Sequence, residues 1–215
     1  NPPFSLDDWG SENWTNDPYG RNIEGVPPKG NGDMAWVQHM IKSMNENARM
    51  AIVLPNGVLF RKGSEKKIKK YLINNDLIET IIGLGPNIFY GTQLSPFILI
   101  FKQNKIKHYK NKILFIDATE EMRIGRAQNY LEKKNIDKIL DCYHERKEIK
   151  NFSKIASIDE IESNEFSLNI PLYVKKNIDE NFQPIEKIVS DLKIRWDNII
   201  KSEKKIINLF NDFVS

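Results

Sequence analysis

Short apolar runs at residues 50–54, 78–84, 97–102 and 113–117 alternate with amphipathic stretches, and that alternation constrains the fold more than any other feature. Each run has strand length. Pro55-Asn56-Gly57 closes the first, Gly83, Gly85 and Pro86 close the second, and a lysine-rich turn joins the last two. Apolar runs bounded in this way read as buried strands. Asp33 can cap a helix running to about Asn45, with Ala35, Trp36, Met40, Ile41 and Met44 at helical spacing. Ser64 opens a second helix, amphipathic through Ile68, Tyr71 and Leu72, with Glu65 in its positive first turn. The order strand, helix, strand, strand predicts an α/β sheet that turns antiparallel at one edge.

The flanks are less regular. Residues 5–32 are punctuated by glycine and proline and show no period, yet Trp9, Trp14 and Tyr19 predict a segment packed down on the domain. Beyond Thr119 the pattern weakens, with one helix expected around residues 136–143. From Pro184 onward Ile185, Leu192, Ile199, Ile206 and Phe213 recur every seventh residue. Ile188 and Leu209 supply part of a second seam, which Arg195 and Ser202 interrupt. This is a long helix built to pack against another. The chain therefore divides into a sheet domain over 1–118, an irregular and helical extension over 119–176, and a long helix over 177–215.

Charge and cysteine usage exclude several classes. Lys+Arg 32 against Asp+Glu 29 leaves a net charge of +3, too mild to argue for nucleic acid by itself. A single cysteine, Cys142, excludes a disulfide framework and any zinc site built on several thiolates. His39, His108 and His144 lack metal-ligand spacing, and Glu120-Glu121 have no second carboxylate pair, so no metal is expected. With no run long enough for a bilayer and no signal peptide, the reading is a soluble, reducing, cytoplasmic protein. The chain opens without an initiator methionine on Asn1-Pro2-Pro3-Phe4, which suggests a piece of something longer.

That tetrapeptide carries chemistry. A conjugated amino group is a poor nucleophile because its lone pair is delocalised, and methyl transfer to it needs acceptors that hold its hydrogens. The Asn1 side-chain oxygen and the Pro2 carbonyl can accept the two N–H bonds. Two prolines stiffen the turn, which sets those acceptors beforehand. Phe4 offers a face on which an extruded base could stack. Alternatively, Pro2-Pro3 is an ordinary turn and Phe4 a core plug. Two basic clusters, Arg61, Lys62, Lys66, Lys67, Lys69, Lys70 and Lys102, Lys105, Lys107, Lys110, Lys112, are either phosphate contacts or solvated faces. Arg126, Gln128 and Asn129 form an extended polar segment that could face DNA. Cys142 reads as a filler of a small apolar gap.

The surroundings of the tetrapeptide resemble the methylation subunit of type I restriction–modification systems, of the adenine-N6 DNA methyltransferase family. Asn1-Pro2-Pro3-Phe4 is followed by Asp8-Trp9-Gly10, Gly25-Val26-Pro27-Pro28, Ala35-Trp36-Val37-Gln38-His39-Met40 and Leu54-Pro55-Asn56-Gly57-Val58-Leu59-Phe60. Further matches are Gly83-Leu84, Phe89-Tyr90-Gly91-Thr92-Gln93, Leu114-Phe115-Ile116-Asp117-Ala118, Tyr143-His144 and Leu168-Asn169-Ile170-Pro171. The resemblance spans about residues 1–174. It implies an α/β fold, the carboxyl-terminal half of a doubly wound methyltransferase sheet with an antiparallel edge, followed by a long C-terminal helix. It implies that Asn1, Pro2 and Phe4 are catalytic and that transfer is direct and in line; beside that implication, Pro3, Arg126, Lys62 and Lys66 are read as contacts to the base or DNA.

By the same resemblance the methyl donor is S-adenosylmethionine, with its binding motif expected upstream of residue 1. The implied partners are DNA, a specificity subunit and a restriction subunit; the seam from Ile185 to Phe213 either grips the specificity subunit or packs back on its own domain. Departures exist: Gly85-Pro86 inverts the usual order, and Leu172 stands where the family often has arginine. Two rival functions are a protein-glutamine methyltransferase and a non-catalytic assembly fragment. The strand at 50–54 should pair with one preceding Asn1, so these residues alone are expected to self-associate through an open edge.

Overall fold

The computed structural model describes residues 1–176 and 185–214, and the chain forms two compact units, Asn1–Lys176 and Asn177–Ser215. In the first, the elements are α1 (Asp33–Lys42), β1 (Arg49–Pro55), α2 (Ser64–Asn74), β2 (Ile78–Leu84), β3 (Pro96–Lys102), β4 (Lys112–Ala118), α3 (Lys133–Glu145), β5 (Ser153–Ser157) and α4 (Ile158–Ser163). The four apolar runs are β1 to β4. The five strands form one sheet in the order β1-β3-β2-β4-β5. β1, β2 and β4 run the same way; β3 is inserted antiparallel between β1 and β2, and β5 adds an antiparallel edge beside β4.

The sheet buries its two faces unequally. On one face α1 and α2 lay Met34, Val37, Ile68 and Leu72 against Ile52, Leu54, Ile81 and Phe101, and the 166–174 segment adds Phe166, Leu168 and Tyr173. Tyr173 stacks on Phe115 with ring centroids 4.0 Å apart. On the other face α3 supplies Ile139 and Cys142, which pack with Ile82, Leu114, Ile116 and Phe152. β1 lies beyond the reach of that second layer. Met50, Ile52 and Leu54 point into the core while Arg49 and Ala51 are exposed, and among the described residues no strand borders its outer edge. The pattern is the period-2 alternation of a strand covered on one side.

Three expectations change. The 119–176 stretch is not only irregular and helical: its Ser-Lys-Ile-Ala-Ser run forms β5, which is too short and polar to signal a strand but buries Ser153 and Ala156 against β4. Asp33 does not cap α1. Gly32 holds the cap position with no side-chain bond, and Asp33 is the first helical residue, wholly buried. The packed loop over 5–32 buries Trp14 and half-buries Trp9, but Tyr19 is 71% exposed.

In the second unit the described residues form α5 (Ile185–Val214). Residues 177–184 and Ser215, and the side chains of Leu209 and Phe213 that belong to the expected seams, lie outside what is described. Helical geometry shows a further apolar row beside the expected seams. Val189, Trp196 and Phe210 alternate with Ile185, Leu192, Ile199 and Ile206 at spacings of four and three, broken only by the charged Glu203. A regular three-four spacing is the seam of a coiled coil, and a single helix has nothing of its own to bury it on.

Candidate active site

Asn1 and Pro3 are exposed, while Pro2 and Phe4 are half-buried. Among the described residues neither the Asn1 amide nor the Pro2 carbonyl has a hydrogen-bond partner, so both acceptors are available. The chain then turns sharply, with Ser5 at φ 50. An L-residue rarely adopts that conformation unless something holds it. Here the Ser5 N–H donates to Asp33 Oδ1 at 2.7 Å, and its hydroxyl lies 3.4 Å from Asp33 Oδ2. One step further, the Gly32 N–H donates to the Leu6 carbonyl at 2.9 Å.

Asp33 is in turn fixed by charge. Arg61 donates to Asp33 Oδ2 at 2.8 Å and to Glu65 Oε1 at 3.4 Å, with its other terminal nitrogen 3.4 Å from the Ser5 hydroxyl. Lys69, also buried, donates to the carbonyls of Val58, Leu59 and Arg61 at 3.0, 3.0 and 2.8 Å. Burial brings the Lys69 ammonium down from its ordinary value to about 8, with Glu65 working against the shift. Burial also raises the Glu65 carboxyl, and Arg61 works against that rise. The α1 amino end favours the Asp33 charge. The residues after Phe4 therefore rest on a buried, hydrogen-bonded ion network rather than on a loose loop.

Phe4 meets one other aromatic side chain. Its ring lies edge-on to Phe89, centroids 6.0 Å apart and planes at 89°. Phe89 sits in the turn after β2, and that turn is braced from the 123–130 segment. Asn129 donates to the Pro86 carbonyl at 2.9 Å, its own N–H donates to the Asn87 carbonyl at 2.8 Å, and Gln128 donates to the Ile88 carbonyl. Gln128 and Asn129 thus brace the Phe89 turn through their N–H groups. Arg126, in the same segment, is exposed and has no partner among the described residues. Phe89 had no individual signal in the sequence beyond the aromatic-glycine turn around it.

The 5–32 loop is anchored as well. Trp9 donates its indole N–H to the Pro28 carbonyl at 2.8 Å and meets Trp14 edge-on at 5.2 Å. The buried Gln38 of α1 accepts from the Ile23 and Glu24 N–H groups and donates to the Gly25 carbonyl. The turn over 25–32 is consequently tied down at both ends.

The carboxyl ends of β2 and β4 carry Gly83, Gly85 and Asp117, the residue types that seat a nucleoside cofactor in an open α/β sheet. The space is taken. A Cβ on Gly83 would lie 2.6 Å from Ile170 Cδ1, and one on Gly85 would lie 2.4 Å from Met122 Sδ and 2.7 Å from the Thr119 carbonyl. Asp117 accepts from the Thr119 N–H and hydroxyl and lies 3.5 Å from Lys176. These residues do not fit a methyl donor. Of the remaining candidates, Lys62 is exposed and Lys66 pairs with Glu165 at 3.3 Å. Cys142 is buried, its thiol pushed up by desolvation, and fills the gap beside Ile139. His144 is exposed beside Tyr143. No helix of the described residues is long and apolar enough to cross a membrane.

Comparison with solved structures places this geometry. The type I restriction–modification methyltransferase subunit from Streptococcus thermophilus superposes with a TM-score of 0.76 at 38% identity, over 82% of this chain and 37% of that one. Fold and motif together define an α/β methyltransferase domain. Residues 1–181 match the sequence profile of the N-6 DNA Methylase family, and the chain belongs to that family. The type I restriction enzyme MjaVII methylase subunit of Methanocaldococcus jannaschii is 39% identical over 206 residues, 87% of this chain and 35% of the relative. The HindI methylase subunit of Haemophilus influenzae is 34% identical over 185 residues, 81% of this chain and 40% of the relative. The chain thus spans 35% and 40% of the length of these two relatives.

Proposed function

We propose that this chain is the base-gripping part of an adenine-N6 DNA methyltransferase, the modification subunit of a type I restriction–modification enzyme. The observation that carries the reading is the tether from Ser5 to the buried Asp33, which holds two free acceptors and one aromatic face in a fixed turn. The extruded adenine stacks on Phe4, which Phe89 supports from its edge. Its amino hydrogens go to Asn1 Oδ1 and the Pro2 carbonyl, and Pro3 stiffens the turn between them and the ring. Holding both hydrogens draws the amino nitrogen toward a tetrahedral shape, so its lone pair becomes available on the face presented to a donor. S-adenosylmethionine is the donor in this reading. Since the strand ends described above have no room for it, methyl transfer belongs to the assembled subunit and is not expected of these residues alone.

Arg126, exposed on the braced segment, is assigned to a DNA phosphate, and the Lys62 and Lys66 pair to the same backbone. The α5 seam is assigned to a helix of the specificity subunit, with a restriction subunit joining the complex. For the 215 residues alone, the open outer edge of β1 is expected to drive self-association. The test is Asn1→Ala in the subunit assembled with its specificity partner. N6-methyladenine formation should fall about a hundredfold, the scale of losing one preorganised polar contact in a transition state, with duplex affinity unchanged within about twofold. Equal loss of both would refute the assignment of Asn1. Ile199→Asp should abolish co-purification with the specificity subunit; a surviving complex would return the seam to an intramolecular role.

A further inference from the structure

Between α2 and the segment following α4 lies an open cavity of about 550 Å³ whose wall holds four cations, Arg61, Lys62, Lys66 and Lys69, against one acid, Glu165. Two of the cations are spent inside the protein: Arg61 on Asp33, Glu65 and Ser5, and Lys69 on three carbonyls. Two are not. Lys62 is exposed with no partner among the described residues, and Lys66 has only its exposed pairing with Glu165. Both stand at the amino end of α2, Lys66 within its first turn, and α2 has no side-chain cap there. A helix amino end already carries partial positive charge, so lysines crowded upon it repel it and one another. Glu65 in the first turn is taken up by Arg61, and Glu165 is the one acid in the cavity wall, beside the Asn169 amide, whose side chain has no partner among the described residues, and the apolar Leu172, 42% exposed.

We propose that this cavity seats a phosphate, that Lys62 and Lys66 are its movable cations, and that its occupant is a backbone phosphate of the DNA strand whose base is held at Phe4. The choice of occupant rests on the function proposed above; the phosphate seat does not. The link to the base is Arg61, which lines the cavity and also touches the Ser5 hydroxyl, one residue after Phe4. The cavity thus shares a wall residue with the turn that presents Phe4. Such a contact sets the register of the strand without reading its sequence. The seat has a built-in competitor in Glu165, which the phosphate displaces from Lys66.

Two titrations of the 215-residue chain test this. In the first, inorganic phosphate is followed by amide chemical shifts, with folding of each variant checked by circular dichroism. Saturable shifts should centre on Lys62, Lys66 and Asn169, vanish in the Lys62→Ala/Lys66→Ala pair, and tighten about threefold in Glu165→Gln. In the second, a duplex of random sequence is bound at several salt concentrations. The paired variant should flatten the slope of log affinity against log salt by about 1, the share of one phosphate contact. Phosphate shifts that survive the paired variant, or that fall elsewhere, overturn the seat while leaving the DNA reading standing. Phosphate binding at these residues with an unchanged duplex slope, or with no duplex binding, overturns the nucleic-acid occupant.

Discussion

Buried charge sits at both ends of the sheet, and the two clusters are built differently. At the carboxyl end of β1, Asp33, Arg61, Glu65 and Lys69 are matched donor to acceptor, and the Ser5 N–H completes the set. At the amino ends of β2 and β4, Glu79 accepts from the Tyr143 hydroxyl at 2.7 Å but meets Arg49, Lys102 and Arg146 only at 3.8, 4.0 and 4.0 Å. Nearby, Lys105 is better served, with Asp76 at 2.5 Å and the Lys112 carbonyl at 3.0 Å. Arg146 is the contrast: buried, stacked 4.3 Å over Tyr109, and without a hydrogen bond to any guanidinium nitrogen. The two ends thus separate attraction from geometry. Loose ion contacts balance charge, whereas hydrogen-bonded ones also fix direction, and only the end beside Phe4 has a loop whose direction matters.

The strongest test of that distinction is Asp33→Ala. It removes the acceptor for both Ser5 and Arg61 and leaves a largely buried guanidinium with only Glu65, at 3.4 Å, as its carboxylate partner. Breaking one side of a buried pair costs about 3–5 kcal/mol, and the Ser5 turn loses its hold as well. A urea melt should show the midpoint falling with the slope unchanged. A loss below about 1 kcal/mol would mean that the network balances charge and positions nothing.

The next test uses pH. Lys69 titrates near 8 in the folded chain against 10.5 ordinarily. Between those values the unfolded state binds more protons than the folded one, so stability rises with pH across that window. The gain attributable to Lys69 is on the order of 2–3 kcal/mol by pH 10.5. Lys105, lowered mainly by its burial, adds a rise of the same sign from the opposite end. Lys69→Met should therefore flatten the curve without levelling it. Glu65 runs the other way at acid pH, where its raised carboxyl makes stability fall as pH climbs through its titration. If Lys69→Met leaves the alkaline slope intact, the ammonium is not held as the geometry indicates.

The strands and the base-gripping tetrapeptide were legible because they are local. Apolar runs with turn residues at each end mark β1 to β4, and Asn-Pro-Pro-Phe declares its acceptors in consecutive positions. What holds that tetrapeptide was not legible. Asp33 carries the signature of a helix cap, and nothing near it in sequence shows that Ser5 and Arg61 would claim its oxygens instead. Lys69 reads as one more lysine on a solvated helix, because the carbonyls that bury it come from the turn after β1. β5 was hidden for a related reason: its burial depends on β4 rather than on its own composition. The bracing role of Gln128 and Asn129 was hidden likewise, because their backbone acceptors lie some forty residues away in sequence.

Arg146→Met is the smallest effect and the one that most sharpens the contrast. Methionine keeps an unbranched apolar stem against Tyr109 and removes five N–H donors that no acceptor satisfies. Glu79 keeps the Tyr143 hydroxyl and the nearby Arg49 and Lys102, so its charge is not stranded. Replacing a poorly bonded buried ion by an apolar group of similar length is often neutral or stabilising. The expected change is within about 1 kcal/mol in the urea midpoint. Arg146 also stands at φ 47, closing α3 in a conformation that an unbranched side chain tolerates no better than arginine does, so the backbone does not bias the comparison. A loss of about 3 kcal/mol, equal to that of Asp33→Ala, would show that distance-limited attraction at 4 Å positions this end of the sheet as firmly as hydrogen bonds position the other.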